Sequence, residues 1–294
     1  MPVANDSEDV ARGHSAPAPD DAAPCGITES ACSGEVGDLT VERSRIAGLP
    51  VSLTTWEAVE TWARATIDAK GSATVCTVAP YQAYLADQDD DYRRCLEAAS
   101  LVLVDGNGVR LLLAIAGVDP GERMTGRELV ERVYGGEFLR GVRVAVVGGM
   151  ADTLARLADD RPEWQLFGEQ YADRPDGAVD DLAARLSTAR AELVLVALGS
   201  PKMELWADAL SRRHRAIYAS VGGAVDTVTG VRKAPPASVS RLGLEWAWRA
   251  AQDPSLYPRL GRALSVMPRL VVRAVGERRG LPGSRNDTGD RARR

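Results

Sequence analysis

The chain has 294 residues, 45% hydrophobic and 26% charged, the composition of a soluble globular protein whose core needs no disulfide or metal staple. Its 36 basic and 41 acidic residues leave a formal net charge of −5, which argues against a general nucleic-acid binder. No apolar run reaches the roughly 18 residues a spanning helix needs, no signal-peptide pattern opens the chain, and its four cysteines are too few for a disulfide framework, so a reducing cytoplasm is expected.

Residues 1–40 carry eight acids and one Arg, net −7, in an Ala-, Pro-, Ser- and Gly-rich setting without periodicity. They read as a disordered acidic tail. Cys25 and Cys32 fall there, too far apart for a CxxC pair, and read as incidental thiols. From 41 to 240 strand and helix signals alternate. Apolar, β-branched runs at Ala73–Val78, Leu101–Val104, 142–147, 193–198 and 217–221 predict strands, with a weaker one at 164–167. Runs apolar on both faces belong to a parallel sheet covered on both sides. Helical periodicity lies between them, at 54–69, 92–99, 108–116, 127–133, 151–158, 178–189 and 202–213. The alternation predicts a Rossmann-like, doubly wound, mostly parallel α/β domain. Residues 241–294 hold twelve Arg and five acids, net +7. Within them, 241–280 reads as a basic amphipathic appendage that Pro254, Pro258 and Pro268 divide into short helical pieces, and 281–294 as a second disordered tail.

A doubly wound sheet binds ligands beyond the carboxyl ends of its strands, where helix N-termini offer free N–H groups to anions. Polar and glycine residues cluster there: Asp105-Gly106-Asn107-Gly108, Gly148-Gly149, Gly199-Ser200-Pro201-Lys202, and Gly222-Gly223 followed by Asp226. One such turn needs only a tight bend; four on one rim suit a phosphate-bearing ligand. The dinucleotide fingerprint fails, because Leu111 stands where its third Gly belongs, and there is no P-loop. Asp105 ends an apolar strand, so its carboxylate is either a general base or the N-cap of the helix starting near Gly108; spacing leaves both open. The histidines number two, His14 in the tail and His214 in the basic surface run 212–215, which disfavours a Ser-His-Asp hydrolase or a His-ligated metal. Asp87, Asp89, Asp90 and Asp91 read as a solvated face rather than a metal cluster.

Several motifs together resemble the WecG/TagA/CpsF glycosyltransferase family over roughly 45–275. They are Val221-Gly-Gly-Ala-Val-Asp226 with Gly230, Arg232, Ala234 and Pro235; Gly243-Leu-Glu-Trp246 with Arg249; Leu198-Gly-Ser-Pro-Lys202 with Glu204; Asp105-Gly-Asn-Gly-Val109; and Glu122-Arg123 with Gly126. The resemblance implies an α/β fold with a C-terminal appendage. It implies transfer from a UDP-sugar to a polyprenyl-diphosphate-linked sugar in polysaccharide or teichoic-acid synthesis, by inversion, with neither cofactor nor metal ion. It assigns Asp105 as the catalytic base. Donor binding falls to Thr77, Asn107, Arg123, Gly148, Gly199, Pro201, Lys202, Glu204, Gly222, Gly223 and Asp226. Arg249, Arg259 and Arg262 are assigned to the acceptor diphosphate.

Two residues depart from the family pattern: Ala79 stands where Asn is usual, and Met203 where Gln is usual. Loss of two amides bears on donor and acceptor choice. A tailoring transferase acting on a soluble metabolite and a non-catalytic nucleotide-sugar binder are therefore open alternatives, with a Rossmann-type oxidoreductase and a structural α/β protein behind them. From 242 to 279, Trp, Tyr and aliphatic residues alternate with Arg, which suggests docking on the inner leaflet; a basic cover on the core or a homo-oligomer contact is the alternative.

Overall fold

The computed structural model describes residues 42–236, 238–239 and 245–279. The two tails, with Cys25, Cys32 and His14, lie outside them, as do Leu242, Gly243 and Leu244. The order is β1 (Glu42–Ile46), β2 (Leu49–Leu53), α1 (Trp56–Asp68), β3 (Ala73–Val78), α2 (Pro80–Gln88), α3 (Asp90–Ala98), β4 (Leu101–Val104), α4 (Asn107–Ala116) and α5 (Gly126–Gly135). Then follow β5 (Val144–Gly148), α6 (Ala151–Asp160), β6 (Gln165–Phe167), α7 (Ala178–Thr188), β7 (Leu193–Ala197), α8 (Lys202–Ser211), β8 (Ile217–Ser220) and α9 (Ala224–Val228). The appendage forms α10 (Glu245–Gln252) and, after a 3₁₀ turn, α11 (Tyr257–Arg278).

The main sheet has six strands, all parallel, in the order β4-β3-β8-β7-β5-β6. Alternate side chains serve alternate faces. Val75, Leu103, Val146 and Leu195 pack with α1, α5, α6 and α9. On the other face, Cys76, Val102 and Val104 meet the β1–β2 hairpin, α2 to α4 and α11. Val147, Val194 and Val196 meet α7 and α8. The helices leaving β5 and β7, which are neighbours, therefore lie on opposite faces, as do those leaving β8 and β3. Such divergence opens a crevice at the carboxyl ends.

The fold departs from the sequence reading in three places. Residues 80–88, which are not among the helices read from the sequence, form α2, whose Pro80 stands in the first turn, where a missing N–H costs nothing. Of the three prolines only Pro254 divides the appendage, opening the 3₁₀ turn between α10 and α11; Pro258 occupies the first turn of α11 and Pro268 lies inside it. Burial of Val266, Leu270 and Ala274 against the second face offsets the hydrogen bond that Pro268 cannot donate. His214 is buried while Arg212, Arg213 and Arg215 are exposed. Its Nδ1 lies 2.8 Å from the Tyr218 hydroxyl, and burial lowers its pKa. The aspartate run lies at the surface, with Asp87, Asp90 and Asp91 exposed, and takes part in ion pairs there. Asp89 caps α3, accepting from the Asp91 and Tyr92 amides, and Arg174 binds Asp89 and Asp91 at 2.6 and 2.8 Å.

Candidate functional site

The turns beyond β5, β7 and β8 interlock. Gly148 has φ +85°, and a Cβ there would lie 2.4 Å from Leu198 Cδ2 and 3.1 Å from the Ala197 carbonyl. Gly222, at φ +53°, abuts the Leu198 carbonyl and Met203 Sδ. Val221 and Gly222 both donate to the Val196 carbonyl at 3.1 Å. Glycine at 148 is thus required twice, by conformation and by space. Gly148→Ala should cost about 1–3 kcal/mol of stability in a denaturant melt; an unchanged midpoint would show that the Leu198 contact yields freely.

Helix capping divides by position. At α4, α6 and α8, which directly follow β4, β5 and β7, the N-cap residues Gly106, Met150 and Pro201 make no side-chain hydrogen bond. The N-caps of α1, α3 and α5 are Thr55, Asp89 and Thr125, each bonded to its helix. The starts of α4, α6 and α8 therefore keep their amide groups and positive dipole ends for a ligand.

Asp105 lies at this rim, half-buried, with its amide donating to the Val78 carbonyl at 3.0 Å. Of its two readings, the N-cap falls away, because Gly106 holds that position with φ +78°. Its carboxylate accepts no hydrogen bond among the described residues. Burial pushes its pKa up; Arg249 opposes this, Glu245 adds to it, and Arg123 opposes it further. These groups come from two parts of the chain, α10 and the segment before α5. Arg249 sits on α10. Glu245, one turn earlier, binds Arg123 at 2.7 Å and Arg127 at 3.3 Å, tying α10 to the start of α5. That start is fixed by a capping box between Thr125 and Glu128, and it rests on the sheet where Gly126 meets Thr77 Cγ2 and the Val221 backbone.

The expected site residues separate into two sets. Asp105, Thr77, Asn107, Arg123, Gly148, Gly199, Pro201, Gly222, Gly223 and Arg249 line or underlie the rim. Five others lie apart from it: three are turned elsewhere and two stack on α2. Lys202 donates to the Tyr171 carbonyl in the β6–α7 loop. Glu204 is buried beneath its own turn. Asp226 accepts from Thr153 Oγ1 at 2.7 Å and pairs with Arg232, joining α9 to α6. Met203 is buried against Gly222, so its departure from the family pattern concerns packing, whereas Ala79 lies half-buried at the rim as the N-cap of α2. Arg259 and Arg262 stack over Tyr81 and Tyr84 of α2 at 4.4 and 5.8 Å. The sequence reading missed Gln82, whose place at the third position of a helix opening with Pro was a usable capping signal.

An all-parallel sheet with a crevice flanked by uncapped helix starts is the framework of an α/β protein that handles a phosphate-bearing ligand. Residues 44–283 match the glycosyl transferase WecG/TagA/CpsF family, and the chain belongs to it. It is similar to the N-acetylglucosaminyldiphosphoundecaprenol N-acetyl-beta-D-mannosaminyltransferase of Bacillus subtilis (strain 168), at 28% identity over 204 residues, covering 66% of this chain and 77% of that one. The chain is thus a hexosyltransferase.

Proposed function

We propose that the protein moves an N-acetylmannosamine-like hexose from a UDP-sugar to a hydroxyl of a polyprenyl-diphosphate-linked sugar, by a single inverting displacement that needs no metal ion. The observation that carries this reading is a rim carboxylate without a hydrogen-bond partner, faced by Arg249 and Arg123. Asp105 takes the proton of the acceptor hydroxyl as it attacks the anomeric carbon, and UDP leaves from the opposite side. The turns at Gly148, Gly199, Pro201, Gly222 and Gly223 cradle the donor, with Thr77 and Asn107 beside the sugar. The α4, α6 and α8 amides and the rim arginines offset charge growing on the leaving diphosphate. Lys202 and Asp226 hold the donor loops in shape from behind, while Arg249, with Arg259 and Arg262 of α11, meets the acceptor diphosphate. A UDP-release screen across UDP-hexoses, with a lipid-linked acceptor and Asp105→Asn as control, tests the whole reading.

The appendage supports a lipid-linked acceptor. Among the described residues no helix is long and apolar enough to cross a membrane. On α11, however, Tyr257, Leu264 and Val272 are 55%, 56% and 71% exposed and share one face, opposite Val266 and Leu270. Trp246 of α10 is also exposed, as are Arg278 and Arg279 at the end of α11. This face docks on an anionic leaflet, with about 1 kcal/mol from each nearby Arg. The protein should co-sediment with anionic vesicles, less so at high salt, and Leu264→Glu with Val272→Glu should weaken binding about tenfold or more. Unchanged binding by that double variant would reject the docking face.

A soluble acceptor is the second reading, favoured by one observation: Ala79 puts no amide at the rim. Turnover of a soluble acceptor by a protein that ignores vesicles would select it.

A further inference from the structure

Beneath the rim, four polar side chains from α2, α3, the β7–α8 turn and α8 form a hydrogen-bonded chain. Gln82 Oε1 accepts the Ala79 amide at 3.2 Å, and Gln82 Nε2 donates to Ser200 Oγ at 3.3 Å. Ser200 Oγ in turn donates to Glu204 Oε1 at 2.8 Å, and the Tyr92 hydroxyl donates to that same oxygen at 3.2 Å. Gln82 and Glu204 are 5% and 1% exposed. Glu204 Oε2 is buried and has no hydrogen-bond partner among the described residues. A carboxylate touching the donor would aim an oxygen into the cleft; this one keeps both inside the protein.

We infer that Glu204 is a positioning residue which, through Ser200, fixes the β7–α8 turn, and that Gln82 couples this turn to the β3–α2 turn, so that two segments of the cleft rim are held as one unit. The chemistry favours a neutral carboxylic acid in this place. An ionised group with one bare, buried oxygen would carry an uncompensated desolvation cost. The groups facing it are Tyr92 and Cys95 of α3, Cys76 of β3 and Arg259 of α11, and of these only Arg259 is cationic. A neutral acid avoids a bare buried charge and holds Ser200 and Tyr92 through its accepting oxygen, and an amide presents the same oxygen. Buried chains of this kind are sensitive to the loss of any member, since each released group is left without a partner.

The inference rests on the reading of this rim as a donor site, and two readouts keep their failures apart. Hydrogen exchange of the full chain reports the coupling without any ligand. Glu204→Ala should speed exchange in residues 197–203 and also at Ala79, by about tenfold, the size of one lost hydrogen bond. Glu204→Gln should remain near wild type at both places. Ser200→Ala, which leaves the core packing intact, should open both turns even if Glu204→Ala fails to fold. Tyr92→Phe should act more weakly, since Ser200 still holds Glu204. In parallel, UDP affinity should fall about tenfold in Glu204→Ala and stay within about threefold of wild type in Glu204→Gln. Two results overturn the inference: Glu204→Gln behaving like Glu204→Ala, or Glu204→Ala and Ser200→Ala loosening 197–203 while leaving Ala79 protected. A wild-type protein that ignores UDP yet shows the exchange pattern would instead reject the donor-site reading and leave the coupling standing.

Discussion

Asp105→Asn should bind UDP as the wild type does and lose about 10²–10⁴-fold in turnover, the usual contribution of a positioned base. The amide keeps the shape of the carboxylate and cannot accept the acceptor's proton. Binding should survive because the donor's phosphates are met by helix starts and turns that Asp105 does not cap; Gly106 holds that position. The pH profile carries the same signature. Burial raises the Asp105 pKa, so the acid limb of kcat/KM should lie above the ordinary carboxylate value of about 4. Arg249 is the largest opposing influence, and Glu245, Arg123 and Glu128 complete the field. Removing a cation disfavours the charged form, so Arg249→Met should move the acid limb further up. Stability has the opposite sense. An acid whose folded pKa is raised stabilises the fold only while protonated, and that contribution is lost as pH rises through its folded pKa. Asp105→Asn should therefore melt no lower than wild type at neutral pH. Turnover near wild type in Asp105→Asn would remove Asp105 from the mechanism, and an acid limb indifferent to Arg249 would remove the electrostatic account.

The contrast between Asp105 and Glu245 shows what a sequence displays and what it hides. Asp105 was legible because strand, carboxylate and glycine are adjacent in the chain, and adjacency fixes where the side chain emerges. The buried strands were legible for a similar reason: four to six consecutive apolar, β-branched residues admit few alternatives. The β1–β2 hairpin was not read, because Glu42–Ile46 is mostly polar and is held by packing of Ile46, Leu49 and Val51 on the second face. The continuity of α11 was hidden by Pro268, whose local cost is outweighed by distant burial. Links that cross the chain left no local trace. Gln82 meets Ser200 118 residues later, and Arg123 meets Glu245 after 122. The motif containing Glu245 could be quoted, but its partner could not be named without the fold.

That partnership carries the second large expected effect. Glu245→Ala should lower stability by about 2 kcal/mol and kcat/KM by about 10²-fold. Glu245 is 18% exposed, and its partners Arg123 and Arg127 are 27% and 15% exposed, so solvent only partly screens the cluster. The Nε atoms of both arginines are already buried without hydrogen-bond partners. Removing the carboxylate leaves Arg127 with Glu131 and strands Arg123 beside the rim. It also frees α10 from α5, and with it Arg249, whose charge acts on Asp105 from the next turn of that helix. A displacement of about 1 Å in a positioned group is enough for a rate loss of that size. Glu245→Gln keeps a hydrogen bond to the arginines and gives up the charge, so it should fall between wild type and alanine in both measurements. Denaturant melts and steady-state UDP release on the same preparations separate the two effects. If Glu245→Ala loses stability but turns over at the wild-type rate, α10 is a structural strap and Arg249 does not depend on it for its place. If stability and turnover fall together, and Glu245→Gln recovers part of each, the ion pair sets the geometry of the rim.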